Sequence, residues 1–328
     1  MAEIPTTTDV HSRRNPSAKE HPTLPYRGDV WPCDDCCFFK PSPIDIEVVR
    51  AMLIKARRLP PHVLDMVFDF AEYWAHSTTV LRTLPHVYGS DVSENSFLLR
   101  SYPVGLVNLG GDEDAVPIKE VSYISSRVTL RPLGRRHEAA TFARLAKYPT
   151  PRLMSPVRKV VFSVRSKDQG WGGVDSTSWT WFDAGLEMFD ADHTGGEGRS
   201  GAASEWAPLS LGALRSVHPE PQPIQPDGLQ YHYVCPLSPE DGYLVVRNRL
   251  KEREWRNHVI TWSYLDDIDP CSEAGVKLEE EGRGRATGNG KFVRDLRLGD
   301  VVTLWGKARF PGWANHIMEA RIDIFWAI

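Results

Sequence analysis

Two loops of this 328-residue chain carry side chains of the kind that bind ligands. The first, Ser166–Gly173, follows an alternating apolar run and places Asp168, Gln169 and Trp171 among glycines. Carboxylate and amide groups beside a flat indole suit a sugar or a peptide, and glycine lets the backbone come close to a ligand. The alternative is structural, because Trp in a β-sandwich often fills the core and Asp in a glycine turn often caps backbone amides.

The second loop is Arg309–His316, which combines a guanidinium, an indole, an amide and an imidazole around a Pro-Gly turn. Between the two loops, Trp179 and Trp181 fall on one face of a predicted strand. The candidate ligand-binding residues are Asp168, Gln169, Trp171, Trp179, Trp181, His258, Arg309, Trp313, Asn315 and His316. A binding site requires the two loops to meet at one rim of the fold.

A metal-dependent or acid–base hydrolase that uses His258, His316 and Asp168 is an alternative function. His258 shares the parity of Ile260 and Trp262, so we expect it to face the core near a strand end, where a hydrogen-bonded core histidine is the other interpretation. No nucleophile elbow, zinc-protease helix, Walker loop or dinucleotide fingerprint is present. The sequence therefore predicts no catalytic residues and no cofactor, and a scaffold without a small-ligand site is a further alternative.

The cysteines predict a reducing environment. There are five, an odd number, whereas a secreted disulfide framework usually has an even count. Cys33 and Cys36 have the spacing of half a zinc site, but no second half follows them, and a plug of aromatic rings and buried thiols is the alternative. We expect a cytoplasmic or nuclear protein.

The composition limits the classes of partner that we expect for this protein. The net charge of −4 gives no reason to expect nucleic acid, which calls for a basic face. No apolar run is long enough to cross a bilayer, so we expect no membrane partner.

From Phe97 onward the apolar residues alternate, as in half-buried strands. The predicted strands are 97–107, 121–131, 157–166, 177–188, 230–236, 242–250, 257–265, 300–308 and 317–327. A short helix is predicted at 137–147. In the last strand one face carries Met318, Ala320, Ile322, Ile324 and Trp326. Because no long helical pattern separates these runs, the predicted fold is mainly β: an antiparallel β-sandwich of jelly-roll or galactose-binding-like type.

The predicted organisation has three parts. Residues 1–30 are a disordered arm, because they contain few large apolar groups. Residues 31–88 hold three of the five cysteines, Cys33, Cys36 and Cys37, and a hairpin of two amphipathic helices, 44–58 and 61–74. Residues 89–328 form the sandwich, with long loops at 190–228 and 266–292 whose composition favours disorder.

The second predicted helix carries a resemblance. Leu59–Phe70, a Leu-Pro followed by an apolar helix, resembles the opening of an F-box. The resemblance implies that residues 44–74 dock on an adaptor of a ubiquitin ligase. The alternative is a helical hairpin that caps the β-domain.

The sandwich region carries a second resemblance. Four segments, Ser166–Gly173, Ser178–Asp183, Asn257–Trp262 and Arg309–Trp326, resemble a group of uncharacterised intracellular fungal proteins over residues 157–328. The end of the chain also resembles jelly-roll domains attached to some F-box proteins, which bind glycans or degradation signals through edge loops. The resemblance implies a non-enzymatic recognition protein that binds a protein or glycan ligand as a substrate adaptor of a ubiquitin ligase.

Overall fold

The structure is a computed structural model. It describes residues 40–82, 86–90, 93–107, 128, 130–171, 177–193, 211–225, 228, 230–234, 236–251 and 253–328. The predicted arm at 1–30, Cys33 and Cys36, and nearly all of the predicted strand 121–131 lie outside these residues.

The described part is mainly β. Its strands are β1 Ala75–Leu81, β2 Val87–Tyr88, β3 Asn95–Arg100, β4 Val157–Lys167, β5 Thr180–Phe189, β6 Leu214–His218, β7 Pro221–Pro223, β8 Tyr231–Tyr233, β9 Leu244–Arg247, β10 Arg256–Ser263, β11 Val301–Ala308 and β12 Ala314–Trp326. Its helices are α1 Pro43–Arg57, α2 Pro61–Phe70, α3 Ala139–Leu145, α4 Glu273–Glu280 and α5 Lys291–Asp295, with 3-10 turns at Leu211–Ala213 and Arg285–Asn289. None of the helices in these residues is long and apolar enough to cross a membrane.

Ten of these strands form two five-stranded antiparallel sheets, β7 and β8 pair with each other, and the predicted β-sandwich is confirmed. The first sheet has the order β1-β12-β4-β10, with β2 beside the start of β12. The second has the order β3-β11-β5-β6, with β9 also paired to β5. Alternate residues of β4, including Val160 and Phe162, meet Val302 and Leu304 of β11 in one apolar cluster between the sheets. The period of two thus places the core between the sheets.

The second sheet is buried on both faces, unlike the half-buried strand that its sequence suggests. Every residue of β11 is buried, including Thr303 and Lys307, although their parity opposite Val302 and Leu304 predicts a polar face. A second apolar cluster, which includes Phe142 of α3 and Leu214 of β6, covers the outer side. Polar groups beneath this layer therefore need partners inside the protein.

One such pair is Arg100 of β3 and Glu187 of β5, which are 0% and 1% exposed. The guanidinium donates from Nε to Oε2 at 2.7 Å and from Nη2 to Oε1 at 3.1 Å. It also lies 4.4 Å from the centroid of the Phe97 ring. The two-point geometry offsets the cost of removing both charges from water.

A β-bulge corrects the predicted face of β12. The register against β4 shifts between Ile317 and Glu319. As a result Ile317 is buried, whereas Met318 is exposed instead of lying with Ala320 and Ile322. The extra residue in a bulge reverses the parity of the strand before it, which the simple alternation missed.

The two predicted helices form and pack on the sandwich. Ser42 caps α1, accepting a hydrogen bond at Oγ from Asp45 N, while the Asp45 carboxylate accepts one from Ser42 N. Arg50 of α1 donates to Asp65 of α2 at 2.6 Å and to the carbonyl of Ile328 at 2.5 Å. These bonds hold the helical pair against the end of the chain.

The helices bury one stripe and expose another. Ile46, Leu64 and Phe68 are buried. The helical spacing of Val48, Val49, Met52, Leu53 and Ala56 predicts an apolar stripe on α1, but Val48 and Met52 are exposed. The buried stripe begins one helical turn earlier, because Arg50 packs inward on Phe68.

Three predicted boundaries are wrong. Residues 75–88, assigned to the helical segment, contain β1 and β2, and β1 pairs with β12 along its whole length. The predicted loop 266–292 contains α4 and a 3-10 turn. The predicted loop 190–228 contains β6 and β7, although its residues 194–210 are not described. Short strands and helices of this kind are fixed by their neighbours rather than by their own periodicity.

Candidate functional site

The two candidate loops meet at one rim of the sandwich. β4 and β12 are paired, with Lys167 opposite His316, so the loop that follows β4 lies beside the turn that precedes β12. The rings of Trp171 and Trp313 lie 6.4 Å apart between centroids, with 32° between their planes. Gly312, at φ +91°, lies directly under Trp171, because a Cβ there would be 2.9 Å from the indole. Glycine is required at this contact.

Asp168 holds the first loop together and does not face a ligand. It is 1% exposed. Its Oδ1 accepts a hydrogen bond from Gly170 N and its Oδ2 accepts one from Lys251 N, both at 2.8 Å. The carboxylate thus closes a local turn and fastens it to the segment that follows β9.

Gln169 is also used internally. Its Nε2 donates to the carbonyl of Trp171 at 2.8 Å, and its Oε1 accepts from Ala314 N at 3.3 Å. The side-chain amide therefore links the first loop to the start of β12. The amide group that we proposed for ligand binding instead sets the position of Trp171.

Arg309 is buried beneath the rim. Its Nε donates to the carbonyl of Pro236 at 2.7 Å, and its Nη1 lies 3.2 Å from Glu94 Oε2. The guanidinium carbon lies 5.8 Å from the centroid of the buried Trp181 ring. Trp181 in turn donates from Nε1 to Asp183 at 3.0 Å. Burial raises the pKa of Asp183 to about 6, against the opposing effects of Lys307 and Trp181.

Asn315 is the centre of a buried polar network between the two sheets. It is 0% exposed, donates from Nδ2 to the carbonyls of Trp181 and Lys307 at 3.2 and 3.3 Å, and accepts from Asn248 Nδ2 at 2.9 Å. Asn248 also donates to Thr180 Oγ1 at 2.9 Å and accepts from Ser166 Oγ at 2.8 Å. The network fixes the end of the sandwich on which the rim stands.

The exposed part of this region is aromatic. Trp171 is 55% exposed, Phe310 and Tyr88 are each nearly half exposed, and Trp179 and Trp313 are half-buried. Phe310 packs edge-on against Trp179, with 4.8 Å between ring centroids. We call this surface the aromatic rim, and it consists of Tyr88, Trp171, Trp179, Phe310 and Trp313.

The backbone joins these residues into one surface. Gly89 N donates to the carbonyl of Trp313 at 2.9 Å, and Tyr88 pairs with Ala314. A Cβ on Gly89 would lie 2.3 Å from the carbonyl oxygen of Phe310, so the two turns are packed backbone to backbone. The rim is therefore supported by strand ends rather than by a long loop.

His316 lies beside the rim and forms a pair with His86. The two Nδ1 atoms are 3.0 Å apart, and the rings meet edge to face. One ring must donate and the other accept, so at least one of the two imidazoles is neutral when this bond exists. Burial, then His86 and Lys167, lowers the pKa of His316.

His258 belongs to a different face of the first sheet. It pairs with Val164, faces the core, and is buried, as its parity predicted. Burial, then Arg256 and Arg249, lowers its pKa to about 4. Its Nε2 is buried and has no hydrogen-bond partner among the residues that the structure describes.

The structure does not assemble the predicted hydrolase set. His258 faces the core, whereas His316 lies opposite Lys167 on the outer face, and both carboxylate oxygens of Asp168 accept backbone amides. Among the described residues no group of three or more His, Cys, Asp or Glu side chains is arranged to hold a metal ion. Cys33 and Cys36 lie outside those residues.

Sequence reasoning overlooked three members of the region. Phe310 stands in the same Pro-Gly turn as Trp313, so an exposed aromatic could have been expected there. Tyr88 was assigned to the helical segment, and Asn248 gave no local signal, because its partners are 67 to 82 residues away along the chain.

Comparison with models of protein families, with curated proteins and with solved structures gave no match.

Proposed function

We propose that this chain is a non-enzymatic recognition protein that binds its ligand through the aromatic rim. The observation that carries the proposal is the pair Trp171 and Trp313, which lies at a firmly held rim with one indole more than half exposed. Exposed aromatic side chains on a rigid support are typical anchors of protein interfaces, since they bury a large area at little entropic cost.

A protein ligand fits this surface better than a glycan. Sugar hydroxyls need free hydrogen-bonding side chains. Asp168, Gln169, Arg309 and Asn315, which would serve that purpose, instead bond to the protein itself. The exposed surface of the aromatic rim is therefore flat and apolar, and it suits the side chains of an extended peptide or a protein surface.

A library of displayed peptides and a glycan array, both probed with the full chain, test the proposal. The informative variant combines Trp171→Ala with Trp313→Ala. The matched control is Leu265→Ala, an exposed apolar residue in the turn after β10. We expect the control to keep the peptide ligands of the unchanged chain and the double variant to lose at least about tenfold in affinity, as for interface anchors.

Two results would count against this assignment. If no peptide is retained, or if the double variant retains peptides as well as the control does, the rim is not the binding surface. If glycans alone are retained and the two tryptophans are needed for it, the protein ligand is wrong and the glycan alternative holds.

A second candidate function concerns the helical pair. The side of α1 that faces away from the sandwich carries exposed Ile44, Val48 and Met52 at helical spacing, and Phe70 of α2 is 85% exposed. Such a stripe suits docking into a groove of a partner protein. We propose, from the F-box-like opening of α2 and its order before a jelly-roll-like region, that the partner is a ubiquitin-ligase adaptor in the cytoplasm or nucleus.

The test is binding of the full chain to such an adaptor. Val48→Glu with Met52→Glu should abolish binding without unfolding the protein, because both side chains already face solvent. Arg57→Glu, at an exposed position of α1 on the other side of the helix from Val48 and Met52, is the control for added negative charge. Equal binding by the double variant and the control would remove the docking proposal and leave the helical pair as a cap on the sandwich.

A further inference from the structure

A second concave surface lies on the sandwich, apart from the residues of the aromatic rim. It is a cleft of about 850 Å³ between α4, the segment that follows it, and the strand ends around Thr177 and Arg247. This volume is within the range of sites that bind small molecules or a few residues of a peptide. Its walls carry four arginines: Arg247, Arg249, Arg283 and Arg285.

Three of these arginines have no carboxylate partner. Among the described residues, Arg247, Arg249 and Arg283 form no ion pair, whereas Arg285 pairs with Glu279. Within the described part of the chain, Nε of Arg283 is buried without a hydrogen-bond partner, and its Nη2 donates to the carbonyl of Thr261 at 3.4 Å. A guanidinium group that is partly removed from water without a paired anion raises the free energy of the folded protein. A bound anion would lower it again.

Burial lowers the pKa of two of these arginines. Desolvation is the main cause that lowers the pKa of both Arg247 and Arg283, and nearby acids oppose it: Glu279 and Asp183 for Arg247, and Asp266 and Glu281 for Arg283. Arginine stays charged under these conditions, since its pKa is so high. The cleft therefore holds positive charge in a partly desolvated position.

Two of the four acids that line the cleft already accept hydrogen bonds from other groups of the protein. Both carboxylate oxygens of Asp241 accept backbone amides, from Arg285 at 2.5 Å and from Ala286 at 2.9 Å. Glu279 binds Arg285, and Glu280 and Glu281 are exposed at the end of α4. The lining thus holds four arginines and four acids, so its formal charges balance, and Arg247, Arg249 and Arg283 are the arginines without an ion pair among the described residues.

The backbone holds the arginines in place. Arg247 N donates to the carbonyl of Gly282 at 2.7 Å, and Gly284 N donates to the carbonyl of Leu244 at 3.1 Å. Gly282, at φ +84°, allows this close approach, since a Cβ there would be 3.1 Å from the Arg247 carbonyl oxygen. The segment that carries Arg283 is therefore fastened along β9, and the two guanidinium groups are positioned before any ligand arrives.

We propose that this cleft binds a phosphate monoester. Guanidinium groups bind phosphate oxygens in pairs of parallel hydrogen bonds, and a doubly charged group can satisfy several of them at once. Hydroxyl groups of Thr177 and Ser238 line the same cleft, and Leu250 and Val276 give it an apolar part for the rest of the ligand. The phosphate comes either from a phosphorylated side chain of a partner protein or from a small phosphorylated molecule.

Titration calorimetry with the full chain tests the proposal. The probes are phenyl phosphate, a serine-phosphorylated peptide and, as the singly charged comparison, phenyl sulfate. We expect the phosphates to bind more tightly than the sulfate and to weaken as salt is added. Tighter binding of the peptide than of phenyl phosphate assigns the source to a protein, and the opposite order assigns it to a small molecule.

Variants locate the site. Arg247→Gln with Arg283→Gln should weaken phosphate binding at least about tenfold. Arg249→Gln, at an exposed position, should weaken it without any effect on folding, while Arg57→Gln on α1 is the matched control and should bind as the unchanged chain does. Absence of binding of both phosphates at millimolar concentration, or equal binding by Arg249→Gln, the double variant and the control, would overturn the proposal.

The result is independent of the aromatic rim. The Trp171→Ala and Trp313→Ala variant should bind phenyl phosphate as the unchanged chain does. Loss of phosphate binding in that variant would mean that the phosphate sits at the rim and that the arginine cleft is not its site.

Discussion

Asn315 distinguishes a residue that builds the site from one that binds a ligand. The amide donates two hydrogen bonds to backbone carbonyls and accepts one from Asn248, all inside the protein. Asn315→Ala removes these three bonds and strands the polar groups they satisfied. At about 1 kcal/mol for each buried hydrogen bond, we expect a loss of about 3 kcal/mol in the free energy of unfolding.

The measurement is urea denaturation of the full chain, followed by intrinsic tryptophan fluorescence. Asn257→Ala is the matched control, because Asn257 is an exposed asparagine on β10, and its substitution should change the free energy of unfolding by less than about 0.5 kcal/mol. Asn315→Asp should be at least as damaging as Asn315→Ala, since it keeps the acceptor but buries a negative charge beside two carbonyl oxygens.

Equal stability of Asn315→Ala and the control would contradict this role of the amide. In that case the amide would not hold the two sheets together, and its assignment as a ligand-binding residue would return. A loss of stability that also appears in Ser166→Ala would extend the same explanation to the rest of the network, because Ser166 reaches Asn315 through Asn248.

Three further changes test the buried charges. Glu187→Ala should cost about 3–5 kcal/mol in the free energy of unfolding, because it leaves Arg100 buried without its partner, whereas Arg100→Met combined with Glu187→Leu should cost much less. Additive losses in a double-mutant cycle by urea denaturation would contradict this. Asp168→Asn should cost about 1–3 kcal/mol, since an amide nitrogen replaces one of two oxygens that accept backbone N–H groups. Unchanged unfolding curves would mean that those bonds contribute nothing. The pKa of His258 is about 4 in the folded protein and 6.5 for a histidine free of the fold, so the unfolded chain binds the extra proton first and stability falls as the pH drops from about 6.5 to about 4. This contribution amounts to about 2 kcal/mol near pH 5. His258→Gln should therefore lose less stability than the unchanged chain between about pH 7 and pH 5 in paired urea titrations, and equal losses would refute the assignment.

The sequence by itself determined the fold class and most of the long elements. The alternation in β4, β10 and β12 is local, so the pattern predicted strands there, and the stripes at 44–58 and 61–74 predicted two helices. The Pro-Gly turn and the glycine loop were also recognisable, because their backbone conformations depend on a few adjacent residues.

Only the tertiary structure decided which side chains face solvent. Asp168 bonds to Lys251 and Asn315 to Asn248, across 83 and 67 residues of chain, and no local pattern carries such partners. The second cluster packs on the Val301 end of β11, and Lys307 near the other end is buried beside Asp183 and Trp305, although the alternation of the strand indicates a polar face there. Burial depends on what packs against a strand from elsewhere in the chain, and for this reason the predicted polar contacts became supports while the aromatic rings stayed exposed.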